Sequence, residues 1–527
     1  MTQGATIGSA PRAGFGEGAW RSLARSPLTA LFLFTLLVLA LGTPGFLGRA
    51  GDDWQYLQAA RCGAEHGLCL PHDHWGRRFP LVAPLAGALW LFGESRATIA
   101  IVPLAYGVAA IMLFALMVQR QYGRGAALLA GLALVATPAF SGRLLELNVD
   151  IPELAFAIAA LFCLQSAWRS GRGSWIAASG AMLALAIMTR PTALPLLPLF
   201  LACLWMMDRR RWIPHFLAGL LALLLLEAGV YSLWAGDPLL SWKLSLAHTR
   251  IPTPVLAASV DLSQSPLFNP AYIDGWRKGM GLSVHWTVDG LLNLLVHPWM
   301  ALTLACAFVF LFLERRHLGV PEAGGRPLLF LIAAAALLFG ALTYGLAIDP
   351  QPRMFLAIAA VASLCFGVLA ARSWDRRQAL VVAALVILLG KGLAASHDAI
   401  DLQGAAALVP GWIFEAGDDL AVEEGSARYL TLVPEVRALP RYAEAPDAAR
   451  LLMVGENDCA TAAAAAGLAG RPVLRAARFE KQEPAAVAAL RRRHIFFNPQ
   501  AVPVLCILGR AEARAARAAG RAESPRS

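Results

Sequence analysis

The stretch Leu28-Thr-Ala-Leu-Phe-Leu-Phe-Thr-Leu-Leu-Val-Leu-Ala-Leu41 carries no charge and only two hydroxyls. Continued to Leu47, an apolar run of this length, at about 1.5 Å per residue, reaches the roughly 30 Å of a bilayer core and reads as a membrane-spanning helix. It is a poor cleaved signal peptide. Its apolar core is long, and Thr43-Pro44-Gly45-Phe46 does not offer a small-residue cleavage site.

Runs of this kind recur. The 527 residues are 58% hydrophobic and 15% charged, with a mean hydropathy of +0.57; soluble domains carry roughly 25% charged residues. The predicted fold is mainly α, a polytopic helical membrane protein of about eleven spans. They lie at 27–47, 97–118, 124–140, 150–168, 174–189, 191–207, 212–234, 294–313, 327–347, 353–371 and 379–396. Pro80 to Gly93 is apolar but short and interrupted by Pro84, which suits an interfacial or re-entrant helix.

Arginine sets the orientation. Clusters at Arg21 and Arg25, Arg120 and Arg124, Arg169 and Arg172, Arg209 to Arg211, Arg315, Arg316 and Arg326, and Arg372, Arg376 and Arg377 fall in alternate loops. By the positive-inside rule that side is cytoplasmic. The net charge of +10 therefore reflects loop bias, and nucleic acid is not an expected partner. The expected organisation is a disordered cytoplasmic tail (1–26), a transmembrane domain (27–396) with a first periplasmic loop (48–95), a periplasmic α/β domain (397–510) and a basic tail (511–527). In the α/β domain, 428–434, 450–455, 494–498 and 502–508 read as strands, with Ala-rich helices between or beside them. A bacterial inner membrane is the expected location.

The unusual residues collect on the opposite side. Gly51-Asp52-Asp53-Trp54-Gln55-Tyr56 follows the first span; His72-Asp73-His74-Trp75-Gly76-Arg77-Arg78 lies further along that loop; Asp150, Arg190 and Arg353 sit at other helix mouths. Charge beside hydrocarbon is costly and tends to mark function. Such an inventory suits moving a sugar from a lipid-linked phosphate: a carboxylate takes the acceptor's proton, and arginines hold the phosphate bidentately. Each residue also has a structural reading. Asp150, before Ile151-Pro152, is placed to cap its span. Arg190 and Arg353 suit interfacial anchors. Glu227, isolated in an apolar run, suits either a buried acid or a cavity wall. Cys62 and Cys69 share the first loop, and Cys459 and Cys506 the C-terminal domain. In an oxidising compartment each pair can form a disulfide, the alternative being four free thiols.

The order Asp-Asp-x-x-Tyr, then His74-Trp75-Gly76-Arg77-Arg78-Phe79-Pro80, then Leu85-Ala86-Gly87-Ala88-Leu89-Trp90-Leu91-Phe92-Gly93, resembles the N-terminal part of the C-type (GT-C) membrane glycosyltransferases. That class includes the lipid A aminoarabinose transferases and protein O-mannosyltransferases. Leu147-Asn148-Val149-Asp150-Ile151-Pro152, Met188-Thr189-Arg190-Pro191-Thr192 and Pro352-Arg353-Met354-Phe355-Leu356 are similar in the same way. The resemblance implies Asp52 as base, Asp53 as acidic neighbour and Asp150 as a second cavity aspartate. It implies substrate binding by Tyr56, His74, Arg77, Arg78, Arg190 and Arg353. Phe79 before Pro80 and Met354 after Arg353 depart from the family's usual Lys and Tyr, so the phosphate role passes to Arg78 with Arg77 as substitute, and the donor's identity stays open. The implied activity is inverting transfer from a polyprenyl-phosphate sugar to a glycan, lipid or protein acceptor among the membrane lipids. A divalent ion at Asp52 and Asp53 stays an alternative to a metal-free site, and a transporter or flippase of a lipid-linked sugar an alternative to the enzyme.

Overall fold

The computed structural model describes residues 26–41, 52–67, 69, 71, 73–144, 146–249, 286–315, 325–345, 351–397, 403–416, 419–430, 433–446, 448–456, 458–478 and 503–510. All but the last residue of the expected tail at 1–26, the tail at 511–527, most of the long loop 235–293, His72 and the expected strand 494–498 lie outside them.

Helices dominate. In chain order they are α1 (Pro27–Leu41), α2 (Asp52–His66), α3 (Phe79–Phe92), α4 (Arg96–Tyr122), α5 (Arg124–Ala136), α6 (Asp150–Ser170), α7 (Gly173–Thr189), α8 (Leu196–Met206), α9 (Ile213–Ala235), α10 (Leu240–Thr249), α11 (Trp286–Leu295), α12 (Ala301–Leu313), α13 (Gly325–Gly340), α14 (Leu356–His397) and α15 (Gln403–Ala416). Among the described residues, four stretches are long and apolar enough to cross a membrane: Arg96–Tyr122, Asp150–Ser170, Arg210–Ala235 and Pro352–Leu393. The other expected spans fall on shorter apolar helices. α3, at about 21 Å, is too short to cross.

α14 is a helical hairpin. Arg377 leaves helical geometry at φ −140°, ψ 30°. A Cβ on Gly367 would lie 2.4 Å from Ala130 N, and one on Gly392 would lie 2.5 Å from Ala136 O. A straight helix would separate those glycines by about 37 Å, yet their partners on α5 are only about 9 Å apart. The chain must therefore turn back at Arg377, delivering Arg353 to one end of the bundle and Arg372–Arg377 to the other.

The basic ends are bound to each other. Arg169 donates to the Arg120 carbonyl at 2.7 Å, Arg120 donates to Ser166 at 3.1 Å, and Arg376 pairs with the buried Glu314 at 3.2 Å. α6 spans about 30 Å, so Asp150 opens at the opposite end from Arg169. Close helix approach depends on small residues. A Cβ on Gly180 would meet Phe216 O at 1.9 Å, and one on Gly219 would meet Ala177 O at 1.9 Å, so α7 and α9 touch backbone to backbone.

The C-terminal region forms a sheet of β1 (Leu420–Val422), β2 (Arg450–Glu456), β3 (Val473–Arg478) and β4 (Pro503–Leu508) in the order β1-β2-β4-β3. β1 runs parallel to β2, while β4 is antiparallel to both β2 and β3. Among the described residues, the strand expected at 428–434 does not form. The Glu423 carboxylate takes the Ser426 amide at 2.7 Å and starts a helix over Glu424–Tyr429, and Pro434 opens another. Cys62 is bonded to Cys69, and Cys459 to Cys506.

Gly180→Val is expected to abolish the monodisperse folded peak in fluorescence-detected size exclusion, because the clash is with backbone and overpacking there costs upwards of about 1–3 kcal/mol. Gly87→Ala, with nothing within 4 Å of its added carbon, should elute like the unmodified protein.

Candidate active site

α2 starts at Asp52, so Asp52 and Asp53 occupy its first turn, where the helix dipole favours negative charge. Tyr56, Leu57 and Ala60 form its buried face. The following loop is shaped by Asp73, whose Oδ1 accepts the amides of Trp75 at 2.9 Å and Gly76 at 2.8 Å. That turn aims the Trp75 indole at Asp52, donating to Oδ1 at 2.9 Å. His74 is buried and lies against Trp75, with ring centroids 3.8 Å apart and planes tilted by 38°, so it backs the indole. The Arg353 guanidinium lies 3.7 Å from Asp52 Oδ2.

A second pair lies alongside. Asp150, at the start of α6, and Arg190, just past the end of α7, form an ion pair at 2.5 Å. Asp150 does not cap its helix. Asn148 does, accepting the Ile151 amide at 3.0 Å while its own amide group donates to the Arg143 and Glu146 carbonyls at 2.7 Å each. Asp150 is thereby released for Arg190. One helical turn on, Glu153 accepts from Thr192 at 2.7 Å. Its i+3 spacing from Asp150 puts both acids on one face, a signal present in the sequence but not used above.

Arg78 links the two halves. It donates to the phenol of the fully buried Tyr56 and sits 5.3 Å over that ring. Arg77, one residue earlier, faces elsewhere: it donates to Ser241 at 2.9 Å. Of the expected substrate-binding residues, then, Tyr56, Arg78, Arg190 and Arg353 gather with Asp52 and Asp150, His74 supports from behind, and Arg77 leaves the cluster. Trp75 joins it, although sequence reasoning assigned it no role.

Three buried atoms here have no hydrogen-bond partner among the described residues: Arg78 Nε, Arg353 Nε and Asp150 Oδ2. Orphaned buried polar atoms at a charged site suit a bound polar ligand. A divalent ion fits the pocket less well. Both Asp52 oxygens already face donors, and among the described residues the only group of three or more ligand-type side chains is Cys62, His66 and Cys69, whose two sulfurs are joined to each other.

Burial pushes the Asp52 carboxyl up, but Arg353, the Trp75 indole and the charges of Arg78 and Arg190 together outweigh it and hold the group below its ordinary 3.8. Burial drives the Tyr56 phenol well above its usual range, so it stays neutral. Because the folded-state value of Asp52 is depressed, the carboxylate survives acidification down to below about pH 4. In Arg353→Gln the largest opposing charge is gone, so the acid limb of an Asp52-dependent rate is expected to move to higher pH. A pH–rate profile with an unmoved limb would show that Arg353 does not hold Asp52 ionised.

Residues 80–234 match the family described as dolichyl-phosphate-mannose-protein mannosyltransferase. The match includes Asp150 and Arg190 and begins just after Arg78. No curated protein matches the chain. Among solved structures, ArnT from Cupriavidus metallidurans bound to undecaprenyl phosphate is 14% identical with a TM-score of 0.47, covering 92% of this chain and 98% of that one. The Archaeoglobus fulgidus oligosaccharyltransferase in complex with zinc and sulfate is 16% identical with a TM-score of 0.49, covering 78% and 62%. The archaeal oligosaccharyltransferase AglB from the same organism, with an inhibitory peptide and a dolichol-phosphate, is 13% identical with a TM-score of 0.45, covering 82% and 65%. Over residues 80–234, therefore, the chain is similar to the C-type membrane mannosyltransferases.

Proposed function

We propose that the protein is an integral membrane glycosyltransferase that moves a sugar from a polyprenyl-phosphate donor to an acceptor on the periplasmic side of a bacterial inner membrane. The observation that carries this reading is the difference between its two central carboxylates. The Asp52 side chain is 41% exposed and paired loosely, whereas that of Asp150 is 2% exposed and locked to Arg190. A base must reach its substrate; a positioning acid need not.

In this reading Asp52 orients the acceptor's hydroxyl or amine. As that atom bonds to the anomeric carbon its proton becomes strongly acidic, and a weakly basic carboxylate suffices to take it. The bond from the anomeric carbon to the phosphate oxygen breaks, and the phosphate leaves on its lipid. Arg78, Arg190 and Arg353 offer that anion bidentate donors whose charge does not titrate away. One displacement inverts the anomeric centre. The residues that make up the site need no metal in any of these steps. The C-terminal α/β region lies on the same side as the site, in a compartment that tolerates disulfides.

Asp52→Asn keeps shape while removing the base. Transfer from a labelled polyprenyl-phosphate sugar in membranes is expected to fall by about 10²–10⁴-fold with expression unchanged; full transfer by this variant would remove Asp52 from the chemistry. Orientation has its own check. Glu65→Cys, in a background lacking Cys62 and Cys69, should react with an impermeant maleimide added outside intact spheroplasts. Reaction only after permeabilisation would invert the assigned topology.

A further inference from the structure

Outside the Asp52–Asp150 cluster, the chain buries a second set of ionisable groups that the mechanism above does not use. Glu227 lies within the apolar helix α9 and is 6% exposed. An isolated carboxylate in such surroundings requires a partner. Its partner comes through a hydroxyl: Ser241, on α10 and 1% exposed, donates to Glu227 Oε1 at 3.0 Å and accepts from Arg77 Nη1 at 2.9 Å. A serine hydroxyl can do both at once. Arg77 is itself 3% exposed, so the relay closes a buried ion pair drawn from the first loop, a membrane span and the helix after it.

This relay grips the backbone that carries Arg78. Phe79, the next residue, packs its ring 5.6 Å from that of Tyr231, one helical turn beyond Glu227 on α9. Arg77 and Phe79 are thus held by α9 and α10, while Arg78 between them points to Tyr56 on α2. The Arg78 carbonyl then accepts the amides of Leu81 at 3.0 Å and Val82 at 2.9 Å to open α3. Three consecutive side chains are fixed on alternate sides, and the middle one belongs to the candidate site. Without the Ser241 hydroxyl Arg77 would remain buried with one of its guanidinium donors left unsatisfied, which is unfavourable. It would have to swing toward water, taking the 77–79 backbone with it.

We propose that Glu227 and Ser241 are positioning residues that act through Arg77 to hold Arg78 where it meets the donor phosphate. The proposal rests on the glycosyltransferase reading for the identity of that ligand, but its structural half does not. Ser241 is the residue to alter, since Ser241→Ala removes one oxygen and leaves both charges in place.

The experiment uses the full chain in nanodiscs, with Ser241→Ala, Ser241→Thr and the paired neutral replacement Arg77→Gln/Glu227→Gln. Hydrogen exchange at the amides of Phe79, Leu81 and Val82 reads positioning without any substrate. Transfer kinetics with a polyprenyl-phosphate sugar, and binding of undecaprenyl phosphate alone, read the consequence. In Ser241→Ala, exchange should quicken, KM for the donor should rise about tenfold with kcat within about twofold, and Ser241→Thr should restore both. The paired replacement, which leaves no buried charge, should fold and show the same KM defect. Unchanged exchange in Ser241→Ala, or a fall in kcat with KM unmoved, would overturn the proposal. Faster exchange in a protein whose unmodified form neither binds undecaprenyl phosphate nor transfers sugar would leave the positioning intact and bring down the function instead.

Discussion

A charge at the edge of hydrocarbon must be compensated, and the ion pair between Asp150 and Arg190 is where this protein meets that demand most directly. At 2.5 Å, with side chains 2% and 12% exposed, neither partner can be removed without stranding the other, a loss of about 3–5 kcal/mol. The pair ties the start of α6 to the end of α7. Those helices run antiparallel, and the connection after Thr189 is extended, with Arg190 at φ −157°. The mouth of the bundle is therefore pinned at this point by a contact that also supplies it with a cation.

The remaining groups are graded around this pair by exposure. Asp52 sees water and two donors; Tyr56 and Arg78 are sealed behind it; Glu153 lies beside Thr192. Exposure and charge together give each carboxylate a different character from the same chemistry, as burial and neighbours do at acid–base sites generally. Arg77 and Arg78, adjacent and identical in type, are separated in the same way. One neutralises a buried acid through Ser241, and the other turns to the Tyr56 phenol at the site.

The C-terminal region joins the first loop through Glu94. Its carboxylate accepts from Arg61 of α2 at 2.5 Å and from Arg437 at 2.6 Å. Arg437 is 43% exposed, so this contact contributes about 0–1 kcal/mol. It is continuous with the helix that begins at Asp52, since Arg61 lies on α2, although the sheet itself supplies no residue to the cluster.

How much of this was legible beforehand follows from what each level of organisation encodes. Apolar length alone established a membrane protein, because a bilayer core sets a minimum run of about 20 residues. Helix ends put Asp52, Asp150, Arg190 and Arg353 on one side, because the rise per residue converts position along the chain into depth. Lateral neighbours are not encoded in that way. Arg77 and Ser241 are 164 residues apart, and whether Arg77 or Arg78 turned toward Asp52 depended on how α9 and α10 pack against the first loop. The Trp75 indole on Asp52, the Asn148 cap that released Asp150, and the fold-back at Arg377 likewise arose from tertiary packing. The linear chain specifies depth one helix at a time; only the assembled bundle decides which side chains meet at a given depth.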